Sequence, residues 1–212
     1  MFKKGFSVLA LFPDNTLLVA VNKYWAFLLR RMHDGQKPVV IAVLDVVTEI
    51  TTLCGDFVGQ RFSTDLWPLL LEQFQYLRRY EEGSPFLQLK NLDLKNSKID
   101  WSTGGSLEAQ LKNSMLQCTL SCTRCCFIER ACVTQMCSSV IQFLNNSKYQ
   151  AQSLLILQEL MNHDAGETAY WLLEQLSPNV RREWIKGTKL TAVPNSTVES
   201  HCLLLLNKAF IT

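Results

Sequence analysis

Apolar residues recur at helical spacing along most of this chain of 212 residues. The first apolar stripe consists of Leu17, Val21, Trp25, Leu28 and Met32. This spacing places one face of an α-helix against a core, because about 3.6 residues complete a helical turn. The only strand-like alternation, between Leu87 and Leu94, breaks phase and has no partner run nearby. The sequence therefore predicts an all-α fold.

The same spacing predicts about eight helices in all. Residues 15–33 and 38–54 are expected to form a helical hairpin, in which Gly55 supplies the left-handed C-terminal cap of the second helix. A third helix is expected after a tight connector at 56–62, because the Ser, Thr and Asp at 63–65 can cap its first turn. The stripes predict further helices over 107–125, 133–144, 148–162, 169–176 and 196–205. The turn Asn145-Asn146-Ser147 is expected to supply a capping residue for the helix over 148–162.

Two stretches lose the helical pattern and are predicted to be loops. Residues 81–105 gather glycine, proline, asparagine and acidic residues, and their length indicates an insertion on one face of the fold. Residues 177–196 are polar, and Pro178 is expected to end the helix before them. The helical repeats are therefore expected in two groups, 14–80 and 106–212.

Paired helices with a pair-to-pair spacing of about 40 residues are typical of HEAT and armadillo solenoids. In such arrays each hairpin leaves an apolar face exposed until the next hairpin covers it. The near-continuous apolar runs at 154–157 and 203–206 fit helices that pack on more than one side. We predict one α-solenoid of antiparallel helical hairpins over residues 14–212, preceded by an uncertain N-terminal segment at 1–13.

Charge and hydropathy exclude several classes of partner. A net charge of +2 is too small for a nucleic-acid footprint. The best candidate for a membrane span is broken by Asn22, Lys23 and Arg30, and Pro13 ends the short apolar run after Met1. The 8 cysteines are expected to stay reduced, because a chain with this aliphatic core does not need disulfides. We predict a cytoplasmic protein, present also in the nucleus, that binds neither nucleic acid nor membrane.

Most of the cysteines lie between Cys118 and Cys137. A zinc or redox module in this region would use Cys122, Cys125, Cys132 and Cys137. The spacing favours core packing instead, because Cys118, Cys122 and Cys125 continue the apolar stripe of one helix and do not form two converging knuckles. The metal or redox module and inter-helix disulfides are the alternatives.

The residues that enzymes need are not grouped in this sequence. His33, His163 and His201 lie at predicted helix ends or in polar stretches, so no catalytic triad can be proposed. We therefore predict a protein without catalytic activity or cofactor. Trp101 and Trp184 lie in predicted loops, where an exposed aromatic side chain can anchor a protein partner. The alternative is that both pack back onto the solenoid.

Two motifs carry a resemblance to a known family. In the first, Tyr24-Trp25 on a helix precedes the segment CGDFVGQRF at 54–62, and the second is WLLEQL at 171–176. They resemble the C-terminal repeats of the Tel-two-interacting protein one family, in which Cys-Gly-Asp-Phe, two variable residues and Arg-Phe precede a long variable loop. The resemblance covers about residues 17–206 in order, and the cysteine-rich middle matches poorly.

The resemblance implies an α-solenoid subunit of the Triple-T co-chaperone complex. Its partners would be a Tel-two-type subunit, the other Triple-T subunit and the Hsp90 machinery. Its clients would be phosphatidylinositol-3-kinase-related kinases, whose maturation and stability it would support. Because that family is far longer, the resemblance also implies that this chain is a C-terminal fragment. An adaptor or transport solenoid unrelated to kinase maturation is the alternative.

Structural roles are expected within the first motif. A buried Asp56 would cap the turn that follows it, and Phe57 and Phe62 would fill the junction between repeats. Gly55 and Arg61 belong to the same connector and need no separate function. Partner binding would then come from a broad helical surface with a few aromatic or arginine anchors.

Overall fold

A computed structural model of the protein describes residues 16–81, 106–187 and 194–210, and within them the fold is α-helical without strands. The α-helices are α1 (Thr16–Arg30), α2 (Lys37–Leu53), α3 (Gly55–Arg61), α4 (Trp67–Glu81), α5 (Leu107–Cys125), α6 (Arg130–Ile141), α7 (Ser147–His163), α8 (Ala165–Glu174), α9 (Pro178–Ile185) and α10 (Thr197–Phe210). Short 3-10 helices follow α1 and α6, at Arg31–His33 and Gln142–Asn145, and a π-helical turn, Phe62–Leu66, joins α3 to α4.

The helices pack in two layers. In one layer α2, α5, α7 and α10 lie side by side, and in the other α4, α6 and α8 lie side by side. Across the layers, α7 contacts α6 and α8, and α10 contacts α8. Each helix therefore packs mainly on its near neighbours along the chain, which is the arrangement of a solenoid. This architecture confirms the predicted all-α solenoid.

One apolar core runs through both layers and is built from the stripes that the sequence shows. On α1, Val21, Trp25 and Leu28 face inward and are buried. Trp67 and Phe74 of α4 are buried against the second group of helices. Complete burial of an apolar side chain of this size stabilises a fold by about 1.5–3 kcal/mol. The periodic apolar positions thus supply most of the stabilising free energy.

Several helix ends follow the predicted local chemistry. Pro38 lies in the first turn of α2, where its missing N–H costs no hydrogen bond. The side-chain oxygen of Asn146 accepts a hydrogen bond of 3.0 Å from the backbone N–H of Lys148, and so caps α7 as predicted. Ser106 caps α5 in the same way, through a bond of 3.3 Å from the N–H of Ala109.

The segment after α2 differs from its prediction. Gly55 is not a left-handed cap: it is the first residue of α3, and Cys54, with φ −137° and ψ 50°, makes the break between α2 and α3. The predicted tight connector at 56–62 is helical. The expected cap at 63–65 is wrong as well, because these residues lie in the π-helical turn that leads into α4.

A second correction concerns the predicted loop at 177–196, of which residues 188–193 lie outside the described residues. Pro178 does not simply end the preceding helix; it occupies the first turn of α9, where proline is favoured. Val180 is buried and holds this short helix on the core. Gly187, with φ 62°, then takes the left-handed position after α9 that the sequence had suggested for Gly55.

The predicted loop at 81–105 lies outside the described residues except for Glu81, which ends α4, and the N-terminal segment 1–13 lies outside them entirely. No single described helix is long and apolar enough to cross a membrane. One pair of helices, Lys37–Leu53 and Gly55–Arg78, bent by 116°, passes the same test of length and composition together.

Candidate protein-interaction site

Gly55 lies at the closest approach between α3 and the end of α5. A β-carbon added at Gly55 would stand 2.7 Å from the backbone carbonyl oxygen of Cys125 and 3.1 Å from its β-carbon. The thiol of Cys126 donates a hydrogen bond of 3.6 Å to the carbonyl oxygen of Gly55. Only glycine fits this contact without moving backbone. The motif that contains Gly55 therefore joins the first group of helices to the second.

Phe57 and Arg61 form the solvent side of this junction. The ring of Phe57 meets Trp25 edge to face, with the ring centroids 5.5 Å apart. The guanidinium of Arg61 lies 4.0 Å from the centroid of Phe57 and donates a hydrogen bond of 3.3 Å to the Phe57 carbonyl. The indole N–H of Trp25 in turn donates to the carboxylate of Asp65 at 3.1 Å. These contacts hold α1 against the segment between α2 and α4.

Asp56 does not have the predicted position. Its side chain is exposed, so the expectation of a buried capping carboxylate is wrong. With Phe57, Arg61 and the first turns of α1, Asp56 lines an open groove of about 800 Å³. Asp56 therefore contributes negative charge to an accessible surface.

Phe62 lies on the inner side of the junction and is fully buried. Its ring stacks on that of Trp67 at 6.0 Å between centroids. Aromatic contacts continue from there through Phe74 and Phe143 to Tyr149, with successive centroids 5.9–6.3 Å apart. This row of rings links α4 to the turn between α6 and α7. Phe62 thus packs in the core, and partners have no access to it.

The cysteine-rich helix follows the core prediction with one exception. Cys118 and Cys122 are fully buried on α5, but Cys125 is exposed. The helix ends at Cys125, and Cys126, in extended conformation, turns into the core in its place. The predicted continuation of the stripe to Cys125 is therefore wrong. All cysteines are free thiols.

The pKa values of Cys122 and Cys137 are shifted in the direction expected for buried, neutral thiols. Hydrogen bonds with Cys118 and Cys126, followed by burial, raise the pKa of Cys122 well above its usual value. Burial raises the pKa of Cys137 to about 12. The hydrogen bond from Cys122 lowers the pKa of Cys126, which outweighs the effect of burial there.

Metal binding would require the ligands to converge. Among the described residues, which include Cys122, Cys125, Cys132 and Cys137, no group of three or more His, Cys, Asp or Glu side chains is placed to hold an ion. The histidines are engaged elsewhere: His33 faces Glu72, and His163 and His201 hydrogen-bond to the backbone carbonyls of Thr123 and Thr197, respectively.

Of the two tryptophans predicted to bind partners, Trp101 lies outside the described residues. Trp184 lies in α9 and is half-buried. Its indole N–H donates a hydrogen bond of 2.8 Å to Asn207, and its ring meets that of Phe210 edge to face at 6.0 Å. Trp184 therefore fastens α9 to α10. The side chain stabilises the neighbouring surface and does not project from that surface as an anchor.

That surface, which we call the α9–α10 surface, consists of Arg182, Ile185, Lys186 and Phe210. Ile185 is 63% exposed and Phe210 51% exposed. A shallow groove of about 390 Å³ runs along this side of α9 between its arginines, Ile185 and Lys186. Exposed apolar side chains flanked by positive charge are a common form of protein-binding surface.

A buried carboxylate fixes the α9–α10 surface. Glu199, near the start of α10, accepts hydrogen bonds from the backbone N–H groups of Ser177 and Asn195. Burial alone would raise the pKa of Glu199, but these two hydrogen bonds stabilise its charged form more, and its pKa lies below its usual value. The sequence contained a sign of this role, because Ser196 and Glu199 have the spacing of a capping box.

Two stacked layers of helices, exposed apolar side chains and no converging catalytic groups among the described residues define a helical-repeat domain of the kind that binds other proteins. The chain belongs to the TTI1 family: the family model described as the TTI1 C-terminal TPR domain matches residues 1–171. The spacing of α5 and α7, about 40 residues, is longer than the 34 residues of a typical TPR motif. No curated protein and no solved structure matches the chain.

Proposed function

We propose that this chain is a non-enzymatic scaffold in a Triple-T-type co-chaperone complex. In this role it binds a Tel-two-type subunit and the other Triple-T subunit. With the Hsp90 machinery, it supports the maturation and stability of phosphatidylinositol-3-kinase-related kinases. The complex would act in the cytoplasm and in the nucleus.

The observation that carries this proposal is the match of residues 1–171 to the C-terminal domain of the TTI1 family. The fold agrees with it, because stacked helical pairs offer broad surfaces on which partner helices pack. The chemistry of the described residues agrees as well, since all their cysteines except Cys125 are buried thiols and their histidines bond to backbone carbonyls or face a carboxylate.

The α9–α10 surface is the proposed contact for one of these subunits. Ile185 and Phe210 would supply the apolar centre, because exposed side chains of this size lose the most water-accessible area on binding. Arg182 and Lys186 would form a positively charged rim. Trp184 would hold the surface in shape through Asn207 and Phe210.

Affinity purification of the tagged full chain from its native cells, with mass spectrometry, tests the proposal. We expect a Tel-two-type subunit, Hsp90 components and a kinase of the stated family to be recovered together. Ile185→Asp should reduce the recovery of at least one Triple-T subunit several-fold. Phe127→Asp is the matched control, because Phe127 is 77% exposed on the turn between α5 and α6 and should not affect recovery.

Recovery of other proteins without any Triple-T subunit would contradict the proposal and favour an unrelated adaptor solenoid. Depletion of the chain should also lower the steady-state level of the kinase clients. Unchanged client levels after depletion would contradict the maturation role. Fluorescence microscopy of the tagged chain checks the two compartments.

A further inference from the structure

The outward face of α1 carries large apolar side chains that the described part of the chain does not cover. Val19 is 67% exposed, Phe27 52% and Tyr24 44%. The opposite face of the same helix is buried in the core through Val21 and Trp25. With two such faces, α1 resembles an inner helix of a solenoid more than a solvent-facing helix, which would be polar on its outer side.

Positive charge accompanies these apolar side chains. Val19, Lys23, Phe27 and Arg30 follow one another at intervals of three or four residues, so they form one stripe along α1, which we call the α1 stripe. α1 has no acidic residue in its sequence. Within the described residues, neither Lys23 nor Arg30 forms an ion pair with a carboxylate.

Arg31 adds to the charge at the end of the stripe but is already engaged. Its guanidinium pairs with Asp34 at 3.3 Å and lies 5.2 Å from the centroid of the Phe27 ring. This contact holds the Phe27 ring beside a cation and leaves Lys23 and Arg30 as the uncompensated charges. An occupant of the stripe must therefore bring apolar side chains and negative charge together.

We infer that the α1 stripe docks an acidic amphipathic helix of a partner protein. The apolar side chains of that helix would pack on Val19 and Phe27, and its carboxylates would pair with Lys23 and Arg30. The stripe is straight and about 16 Å long, since each helical residue adds about 1.5 Å, and this length suits three turns of a partner helix. The inference goes beyond the proposed function because it assigns a separate surface and the chemistry of its ligand.

Charge argues against a second copy of the chain and against its own longer undescribed segments as the occupant. A second copy in a symmetric dimer would bring Lys23 and Arg30 of one copy towards the same cations of the other. Residues 1–15 carry Lys3 and Lys4 against a single acid, Asp14. Residues 82–105 carry equal numbers of lysines and acidic residues, so neither segment brings net negative charge. An acidic helix from a different protein satisfies both the apolar and the charged part of the stripe.

The test uses the purified full chain and two stapled helical peptides labelled with fluorescein. One peptide carries Leu at helical spacing flanked by Glu, and the other has Lys in place of each Glu. Stapling removes most of the cost of ordering a short peptide. Fluorescence anisotropy should show saturable binding of the Glu peptide, at least tenfold tighter than that of the Lys peptide. Binding should weaken as salt concentration rises.

Charge-reversal variants assign the binding to the α1 stripe. Lys23→Glu with Arg30→Glu should weaken binding of the Glu peptide at least tenfold and should strengthen binding of the Lys peptide. Lys148→Glu with Lys208→Glu, a pair of exposed lysines on α7 and α10 that belong to neither surface, should leave binding unchanged. All four side chains are exposed, so circular dichroism should show native helicity for both double variants.

Three results would overturn the inference. The first is that the two peptides bind equally tightly, or that neither peptide binds. The second is an equal loss of binding in the control pair at Lys148 and Lys208. The third is self-association of the chain, measured by sedimentation, that disappears with Lys23→Glu, because a second copy would then occupy the stripe. None of these results changes the recovery of Triple-T subunits in cells, so failure of this inference is distinguishable from failure of the proposed function.

Discussion

The indole N–H of Trp67 donates a hydrogen bond of 2.7 Å to the side-chain oxygen of Gln135, although 68 positions separate the two residues. Trp67 begins α4 and Gln135 lies within α6, so the bond joins adjacent helices of one layer. Trp67 is almost completely buried. Its N–H therefore depends on this single side-chain acceptor.

We predict that Gln135→Met destabilises the fold by about 1–3 kcal/mol, the usual cost of leaving a buried donor unpaired. Methionine keeps the length and packing of the side chain but removes the acceptor. Urea unfolding followed by circular dichroism measures the change. Gln117→Met is the control, since Gln117 also accepts a side-chain hydrogen bond, from Gln152 at 3.3 Å, but that bond is exposed. Equal stability of the two variants would show that the Trp67 bond contributes nothing.

Gly55→Ala should destabilise the fold by about 1–3 kcal/mol, the range seen when extra atoms are forced into a packed site. The added β-carbon would meet the Cys125 carbonyl at 2.7 Å, and backbone cannot retreat as a flexible side chain would. Thermal unfolding measures the effect. At Gly35 an added β-carbon would meet nothing within 4 Å, so Gly35→Ala should not lower the melting temperature. An unchanged melting temperature for Gly55→Ala would contradict the tight contact between Gly55 and Cys125.

The free energy of unfolding should fall in acid partly because of Glu199. Its pKa is lower in the folded chain than in the unfolded chain, so the unfolded state takes up protons first as pH falls. The contribution is complete above the unfolded pKa of about 4.3 and is lost as pH falls through the folded pKa. Glu199→Gln should therefore destabilise the chain more at pH 7 than near pH 3.

Urea titrations at several pH values check this prediction. Glu129→Gln provides a matched control, because Glu129 is exposed before α6 and its side chain caps no helix. If Glu199→Gln lowered stability equally at every pH, loss of packing would be the cause and the role of charge would be rejected.

Thiol labelling should single out Cys125. It is the exposed cysteine of the chain, and burial protects the others. Iodoacetamide followed by intact mass and peptide analysis should show one fast label in the folded chain and 8 in denaturant. Cys125→Ser should abolish the fast label. Fast labelling of Cys122 or Cys137 would mean that α5 and α6 open more readily than their packing indicates.

Sequence reasoning succeeded where periodicity extended over several turns. The stripe of α1, from Val21 to Leu28, and the cap at Asn146 depend on interactions within one segment, and these can be recognised locally. The predicted helices from α5 to α8 have the same basis. For these elements the hydrophobic pattern and the tertiary packing agree.

The failures occur where distant contacts decide the local conformation. α3 has 7 residues, too few to show a period, and its tertiary contact, Gly55 against Cys125, joins residues 70 positions apart. Pro178 can end one helix or begin another, and the bond between Ser177 and Glu199 selects the second outcome. Cys125 is exposed, and Cys126 is buried in its place, because α5 ends between them.

The candidate surfaces were the least predictable part. The sequence left Trp184 as either an exposed anchor or a side chain packed back onto the solenoid, and the structure shows the second. Its partners Asn207 and Phe210 could not be foreseen without the pairing of α9 and α10. Exposure of Val19 and Phe27 depends equally on which helices pack around α1. Hydrophobicity alone does not distinguish a core position from a docking position.

The direct packing of α2 on α5 bears on how the two groups of helices stay together. Because these helices meet face to face, contacts between them hold the two groups of helices together. These contacts need no covalent connection, so co-expressed halves of the chain, divided between residues 81 and 106, should reassemble into one fold.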